Sequence, residues 1–421
     1  MELKTGCKQT AVGVVPEDWS ITPLAGLVAI LHGFGFESRY FRSAGKYRLT
    51  TPGHFHETGG FRDIGNKQKF YEGPLPDDYL LSGGDLIVAM TEQADGLLGS
   101  AAFVPTSAIY LHNQRIGRAK ILSSELSSSF LYRVFNSTAY RAKVRETAAG
   151  TKVKHTSPSR LLEIPVALPP TKAEQESIAE ALSDADALIE SLEQLIVKKR
   201  HIKQGAMQEL LRPKATWQTT SIEKISDPTR RWSFTGGPFG SNLKSSDYTN
   251  EGVRIIQLQN IGDGEFKDEY EIYTSPQKAD ELLSCNVYPD EIILSKMGDP
   301  VARACIVPKH RDRYLMCSDG IRLAVDQKKF NTYFVYIVIN APAFRTKAAN
   351  AGTGSTRKRI GLTELRILEM PCPCLSEQNA IAGILSDMEG EISTLEAKVA
   401  KARHLKHGMM QELLTGRVRL V

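Results

Sequence analysis

Cysteine, tryptophan and long apolar runs are all scarce in this chain of 421 residues, which has six cysteines and three tryptophans. Cys7, Cys285, Cys305, Cys317, Cys372 and Cys374 form no CxxC pair and no spaced ligand set. That argues against a disulfide framework or a zinc site and leaves reduced thiols as the simple reading. The longest apolar stretches, such as residues 334–341, are far too short to span a bilayer, and the opening MELKTGCKQT lacks the apolar run of a signal peptide. A cytoplasmic protein with no membrane partner is expected.

Catalytic signatures are missing too. No GxxxxGK[ST] loop offers a Walker-type phosphate cradle. The runs HGFGFES and TGGPFGSNLK lack the G-x-G-x-x-G spacing of a dinucleotide site and read as turns. Pro76-Asp77 and Pro289-Asp290 have no acidic-x-Lys at a distance that would complete a nuclease metal site. His54 and His56 sit two apart without a second ligand pair. Neither an active site, nor a cofactor site, nor a metal site is expected in this chain.

What is present is ordinary in bulk, at 41% hydrophobic and 24% charged. The length exceeds the usual limit for one core, so two domains or more are expected. A net charge of +5 is mild and by itself says little about nucleic acid.

The organising feature is a repeat. Residues 174–211 (EQESIAEALSDADALIESLEQLIVKKRHIKQGAMQELL) align without a gap on residues 377–414 (EQNAIAGILSDMEGEISTLEAKVAKARHLKHGMMQELL), with 20 of 38 positions identical. Such a repeat sets the architecture before any local motif is read. Apolar residues in the first copy fall at Ile178, Leu182, Ala185, Ile189, Leu192 and Ile196, in steps of four and three. The second copy keeps the frame with Ile381, Leu385, Met388, Ile392, Leu395 and Val399. This is a heptad seam. A helix of that length runs about 57 Å and needs a partner for its stripe, and the other copy is the obvious one.

Charge suggests how they pair. The first half of each copy is acidic, with Asp186, Glu190 and Glu193 in one and Glu377, Glu389 and Glu391 in the other. The second half is basic, with Lys198, Lys199, Arg200 and Lys203, then Lys401, Arg403 and Lys406. An antiparallel pair sets acid beside base, and so an antiparallel coiled coil is expected. The split would also complement each helix dipole, which is an alternative reading of the same pattern. Gly205 and Gly408 interrupt the two copies at matching positions and mark a helix end, a bend or a close contact.

The expected fold class is α+β: two mixed α/β domains separated by two long helices that form an antiparallel coiled coil, with a pseudo-twofold internal repeat. Boundaries are expected at 1–169, 170–212, 213–371 and 372–421. Residues 85–90, 253–261, 291–294 and 321–325 read as strands. Residues 130–147 and 330–349 read as helices, each followed by a Gly-Thr loop. These loops are basic: GTKVKHTSPSR carries Lys152, Lys154 and His155, and GTGSTRKRI carries Arg357, Lys358 and Arg359. Such loops bring cations and small polar neighbours to phosphate, although a solvated basic loop is the plain alternative. Arg48, Phe61, Arg62 and Asp63 can be set against Arg254, Phe266, Lys267 and Asp268 with one gap.

Taken in order, the start GVVPEDWSITPL, the run GPFGSNLKSSDYTNEGVRIIQLQNI, the loop GSTRKRI, the paired helices and the ending MQELLTGRVRL give a specific pattern over essentially the whole length. The chain resembles the specificity subunit of type I restriction-modification systems. The resemblance implies two target-recognition domains, each reading half of a bipartite site in double-stranded DNA, joined by helices that fix the distance between halves and dock a pair of modification (methyltransferase) subunits. Partner subunits would bring S-adenosylmethionine, ATP and magnesium chemistry, with a restriction or motor subunit for translocation and cleavage. Arg48, Arg62, Lys152, Lys154, Arg254, Lys267, Arg357, Lys358 and Arg359 are expected to approach DNA. Rival readings are the specificity subunit of a methylation-only complex, a single-chain nuclease or methyltransferase, and a coiled-coil scaffold with no nucleic-acid role.

Overall fold

The computed structural model describes residues 6–92, 96–151, 153–354 and 358–420. It divides into two compact units, residues 1–194 with 396–421 and residues 195–395. Each unit therefore contains one globular segment, half of the helix that follows it and half of the other long helix.

The two units repeat one topology. In the first, an antiparallel sheet has the order Ala101–Phe103, Leu86–Ala89, Ile116–Ile121, Val28–His32. Its counterpart in the second unit has the order Ala304–Ile306, Ile292–Ser295, Gly320–Leu323, Phe234–Gly236. A five-stranded sheet accompanies each, and each contains a single parallel pair: Tyr47–Leu49 beside Ile109–Leu111, and Val253–Ile256 beside Tyr314–Met316. Within those pairs Arg48 faces Tyr110 and Arg254 faces Tyr314, so the register makes the two arginines equivalent. The strands Leu86–Ala89 and Ile292–Ser295 are buried along their whole length, as the apolar runs 86–89 and 292–294 require.

The helices expected over 130–147 and 330–349 are each broken in two. The first becomes Ser128–Phe135 and Thr138–Glu146, because the Ser137 side chain accepts a hydrogen bond from the Tyr140 amide and caps a new helix start. The second becomes Thr332–Asn340 and Pro342–Ala351, because Pro342 has no amide hydrogen to continue the ladder. Both breaks are stapled alike. Asn136 accepts from the Ala101 amide at 3.0 Å and donates to its carbonyl at 3.1 Å, and Asn340 does the same to Ala304 at 3.2 and 3.0 Å. The strand expected over 253–261 stops at Ile256, where a 3-10 turn over Leu258–Asn260 takes over.

The long helices run Lys172–Leu210 and Leu375–Leu413, 39 residues each. The predicted seam is where they bury. Ile178, Leu182, Ile196, Ile381, Leu385, Ile392 and Val399 are buried, while Ile189, Leu192 and Leu395 are half-buried. In the first unit Ile178 and Leu182 join Trp19, Phe130 and Leu413 in one core. In the second, Ile381 and Leu385 join Ile292 and Phe334, with Met207 and Leu210 of the first helix packed against them.

The pairing is antiparallel, and each unit supplies its own proof. In the first, the basic end of the second helix meets the acidic start of the first, with Arg403 to Glu193 at 2.6 Å and Lys406 to Asp186 at 2.5 Å. In the second, Lys199 meets Glu391 at 2.6 Å, Lys203 meets Glu389, and Lys214 meets Glu377 at 2.6 Å. Complementing the dipole is thus not the whole reason for the charge split. Such exposed pairs contribute only about 0.2–1 kcal/mol each, so they choose the orientation while the seam supplies the stability. Gly205 and Gly408 lie inside continuous helix, and a Cβ added at either would meet no atom within 4 Å. Neither marks a helix end or a close contact.

Candidate nucleic-acid interface

Each unit gathers its loops at the end of its central strand, and the Gly-Thr loop is part of the gathering in both. In the second unit Thr353 and Arg359 exchange backbone hydrogen bonds at 2.8 Å, which pairs the two arms of that loop. The loop docks on the segment after the strand Ile292–Ser295: the Ile360 amide donates to the Lys296 carbonyl at 2.8 Å and the Gly298 amide to the Lys358 carbonyl at 3.2 Å. Arg359 reaches Asp319 at 3.0 Å, Lys358 Nζ donates to the Ala349 carbonyl at 2.9 Å, and Lys296 Nζ donates to the Ser318 carbonyl at 2.8 Å. Partial burial, and then the neighbouring Arg359 guanidinium, hold the Lys296 ammonium below the ordinary lysine value. Three cations thus share one loop cluster, and the exposed heads of Lys358 and Arg359 face solvent.

The first unit builds the same loop with different chemistry. Ala149 and His155 exchange backbone hydrogen bonds at 2.9 and 2.8 Å, and Lys154–His155 pairs with Thr91–Glu92. Here the centre is an acid. Glu92 is buried, its Oε2 accepts from the amides of Gly96, Leu97 and Leu98 at 3.1, 2.8 and 2.7 Å, and Lys154 Nζ lies 3.9 Å from its Oε1. A carboxylate held by three amides is a rigid loop anchor.

The remaining predicted contacts divide. Arg62 is half-buried, donating to His56 Nδ1 at 3.3 Å and to Glu57 at 3.1 Å, and Lys267 is exposed with its Nζ 3.8 Å from Glu265. Arg48 is half-buried with its guanidinium 5.9 Å from the Tyr110 ring. Arg254 departs from expectation. It is 1% exposed, ion-paired with Asp268 and Glu271, bonded to the carbonyls of Asp268 and Tyr270 at 3.1 and 3.3 Å, and seated over Phe266. A guanidinium so enclosed turns both terminal nitrogens to the protein, leaves its buried Nε without a partner, and braces the loop over 266–271 from within. Lys152 and Arg357 lie outside the described residues. His54 is buried and engaged through both ring nitrogens by Thr51 and by Gln68 at 2.8 Å, and His56 by Arg62.

Several positioning residues escaped the sequence reading. Gln175 and Gln378, both buried, accept from the amides of Ser127 and Asn331 at 2.9 Å and so tie each long helix to the helix pair of its own unit. Both sit in the identical block of the repeat, which was the available signal. A bidentate Arg322–Glu291 pair at 2.7 Å, joined by Arg230, has its equivalent in Arg118–Asp85 at 3.1 Å. Among the described residues no group of three or more His, Cys, Asp or Glu is placed to hold a metal ion, and no helix is long and apolar enough to cross a membrane.

Residues 16–198 match the family model of the type I restriction modification DNA specificity domain. Over nearly its whole length the chain is also 25% identical to the putative type I restriction enzyme MjaX specificity subunit of Methanocaldococcus jannaschii, covering 98% of this chain and 96% of that one. Over nearly its whole length the chain is similar to type I specificity subunits. The EcoBI specificity subunit of Escherichia coli is 22% identical, with 95% of this chain and 85% of that relative covered. Among solved structures, the type I restriction-modification S subunit from M. genitalium superposes with a TM-score of 0.56 at 15% identity, covering 98% of each chain. That likeness concerns the fold, and it extends over both units of this chain.

Proposed function

We propose that this chain is a specificity subunit that directs a type I restriction-modification complex to a bipartite DNA site, each unit reading one half, with the paired helices setting the distance between halves and docking the modification subunits. The observation that carries the reading is a single topology used twice, with equivalent loops whose chemistry differs: Lys296, Lys358 and Arg359 in one unit, Glu92 with Lys154 in the other. Equal frames with unequal loops suit two readers of different base sequences.

Base edges in the major groove carry the full sequence code, and cations beside them clamp phosphate without adding specificity. Lys358, Arg359, Lys267, Arg62, Arg48 and Lys154 are the residues proposed to approach DNA, with Arg254 holding a loop behind them. The subunit itself is proposed to be non-catalytic. S-adenosylmethionine, ATP and magnesium chemistry would belong to its partners, and Leu195 and Ile202, one heptad apart and exposed on the first long helix, are suited to docking one of them.

The test is geometric. Insert one heptad into each long helix and sequence the methylated adenines of the host genome. The expected motif keeps both half-sites and gains unread bases between them; an unchanged spacer would overturn the proposal.

A further inference from the structure

We infer that Phe239 is an apolar wedge of the second unit, entering the base stack of the half-site which that unit reads. The inference rests on the DNA-reading function proposed above and adds one defined contact to it.

Phe239 is 84% exposed, the highest value among the described large apolar side chains; Ile367 follows at 69%. Single exposed apolar residues are common, so exposure alone decides nothing. Placement does. The loop TGGPFGSN is pressed onto the cationic cluster: the Gly237 amide donates to the Gly320 carbonyl at 2.9 Å, and a Cβ on Gly237 would fall 1.7 Å from the Cys317 carbonyl oxygen. A Cβ on Gly236 would fall 2.8 Å from Lys296 Nζ. Pro238 restricts the backbone just before Phe239, and the Asn242 amide donates to the Phe239 carbonyl at 2.8 Å, closing a tight turn. The ring therefore stands on a fixed loop, and little conformational freedom remains to be lost on binding.

The first unit provides the contrast. Its equivalent loop, HGFGFES, is anchored the same way, with a Cβ on Gly33 falling 2.1 Å from the Asn113 carbonyl oxygen. There one aromatic turns inward, and the other lies against the unit's own rings with 37% of its surface exposed. Phe36 is buried with its ring 4.8 Å from Tyr71, and Phe34 packs 5.2 Å from Tyr79. At the same site the first unit buries Phe36 and leans Phe34 on Tyr79, whereas the second leaves Phe239 84% exposed.

The surroundings identify the occupant. Ser241, Asn242 and Lys244, which follow Phe239 in sequence, are exposed, and Lys296, Lys358 and Arg359 lie in the loop cluster against which Gly236 and Gly237 pack. A protein-docking patch would ring Phe239 with apolar neighbours. An isolated ring among cations and small polar groups fits duplex DNA, where the cations take phosphates and the ring replaces the stacking lost when a base step opens.

The experiment uses the assembled complex and a duplex carrying the motif methylated in the host, with 2-aminopurine placed in turn at each step of both half-sites. The wild type is expected to raise fluorescence at one step of one half-site. Phe239→Ala should remove that signal and weaken binding by roughly tenfold with no change in salt slope, while Phe239→Leu retains most of both. A wild type that prefers its motif while Phe239→Ala matches it in signal and affinity would overturn the wedge and leave DNA reading intact. Loss of a partner subunit from the Phe239→Ala complex, with no fluorescent step in the wild type, would overturn it in favour of a protein contact. A wild type that binds motif and scrambled duplexes equally would overturn DNA reading itself.

Discussion

At the scale of the residue, register equivalence does not carry equal exposure. Arg48 and Arg254 hold the same position against Tyr110 and Tyr314, yet Arg254 is closed in by Asp268, Glu271 and Phe266 while Arg48 keeps part of its surface in water. Their substitutions should separate accordingly. Arg254→Ala is expected to cost roughly 2 kcal/mol of stability in denaturant titration, from the lost carbonyl bonds and packing, without altering the salt slope of DNA binding. Lys358→Ala, at an exposed head, should leave stability unchanged and reduce that slope by about one. The reverse pattern would place Arg254 at the phosphates and Lys358 in the frame.

At the scale of the element, the long helices owe their length to a partner rather than to propensity. Their interiors include Gly205, Gly383, Gly390 and Gly408, each of which costs helix stability and none of which has an atom within 4 Å of the position its Cβ would take. The buried seam offsets that cost. Gly205→Ala and Gly408→Ala are each expected to add up to about 1 kcal/mol, read as a higher thermal midpoint. A lower midpoint would mean that these glycines serve a bend or a partner contact that the alanine methyl obstructs.

At the scale of the whole molecule, the two units should respond differently to acid. His54 and His112, both in the first unit, are buried, and desolvation holds each imidazole below its ordinary value of 6.5, chiefly against the opposing hydrogen bonds from Gln68 and Ile116. Unfolding releases these groups to their ordinary pKa, so below it the unfolded chain binds more protons than the folded one. Their stabilising share is complete above pH 6.5 and is lost as pH falls from there through the lowered folded values. In the second unit the described histidines, His201 and His310, are both exposed. Thermal midpoints measured between pH 5 and 7.5 should therefore fall on acidification for the first unit's transition, and His54→Asn with His112→Asn should flatten that slope. An identical slope in the double variant would show that carboxylates alone set the response.

Periodicity and charge by themselves determined the frame of this protein. The heptad seam from Ile178 to Ile196 and from Ile381 to Val399 is legible because a buried stripe must recur every three to four residues, and the acid-base split chose the antiparallel pairing because opposite charges must meet. The Gly-Thr loops were legible as matching positions for the same reason, being fixed by the repeat. Tertiary structure alone decided which side chains at those positions are free. That Arg254 is enclosed, that Glu92 anchors one loop where Lys296 supports the other, that Phe36 turns inward and that Phe239 turns outward all depend on loops distant in sequence folding over one another. Burial of a loop side chain follows from what packs against it, and no local period encodes that.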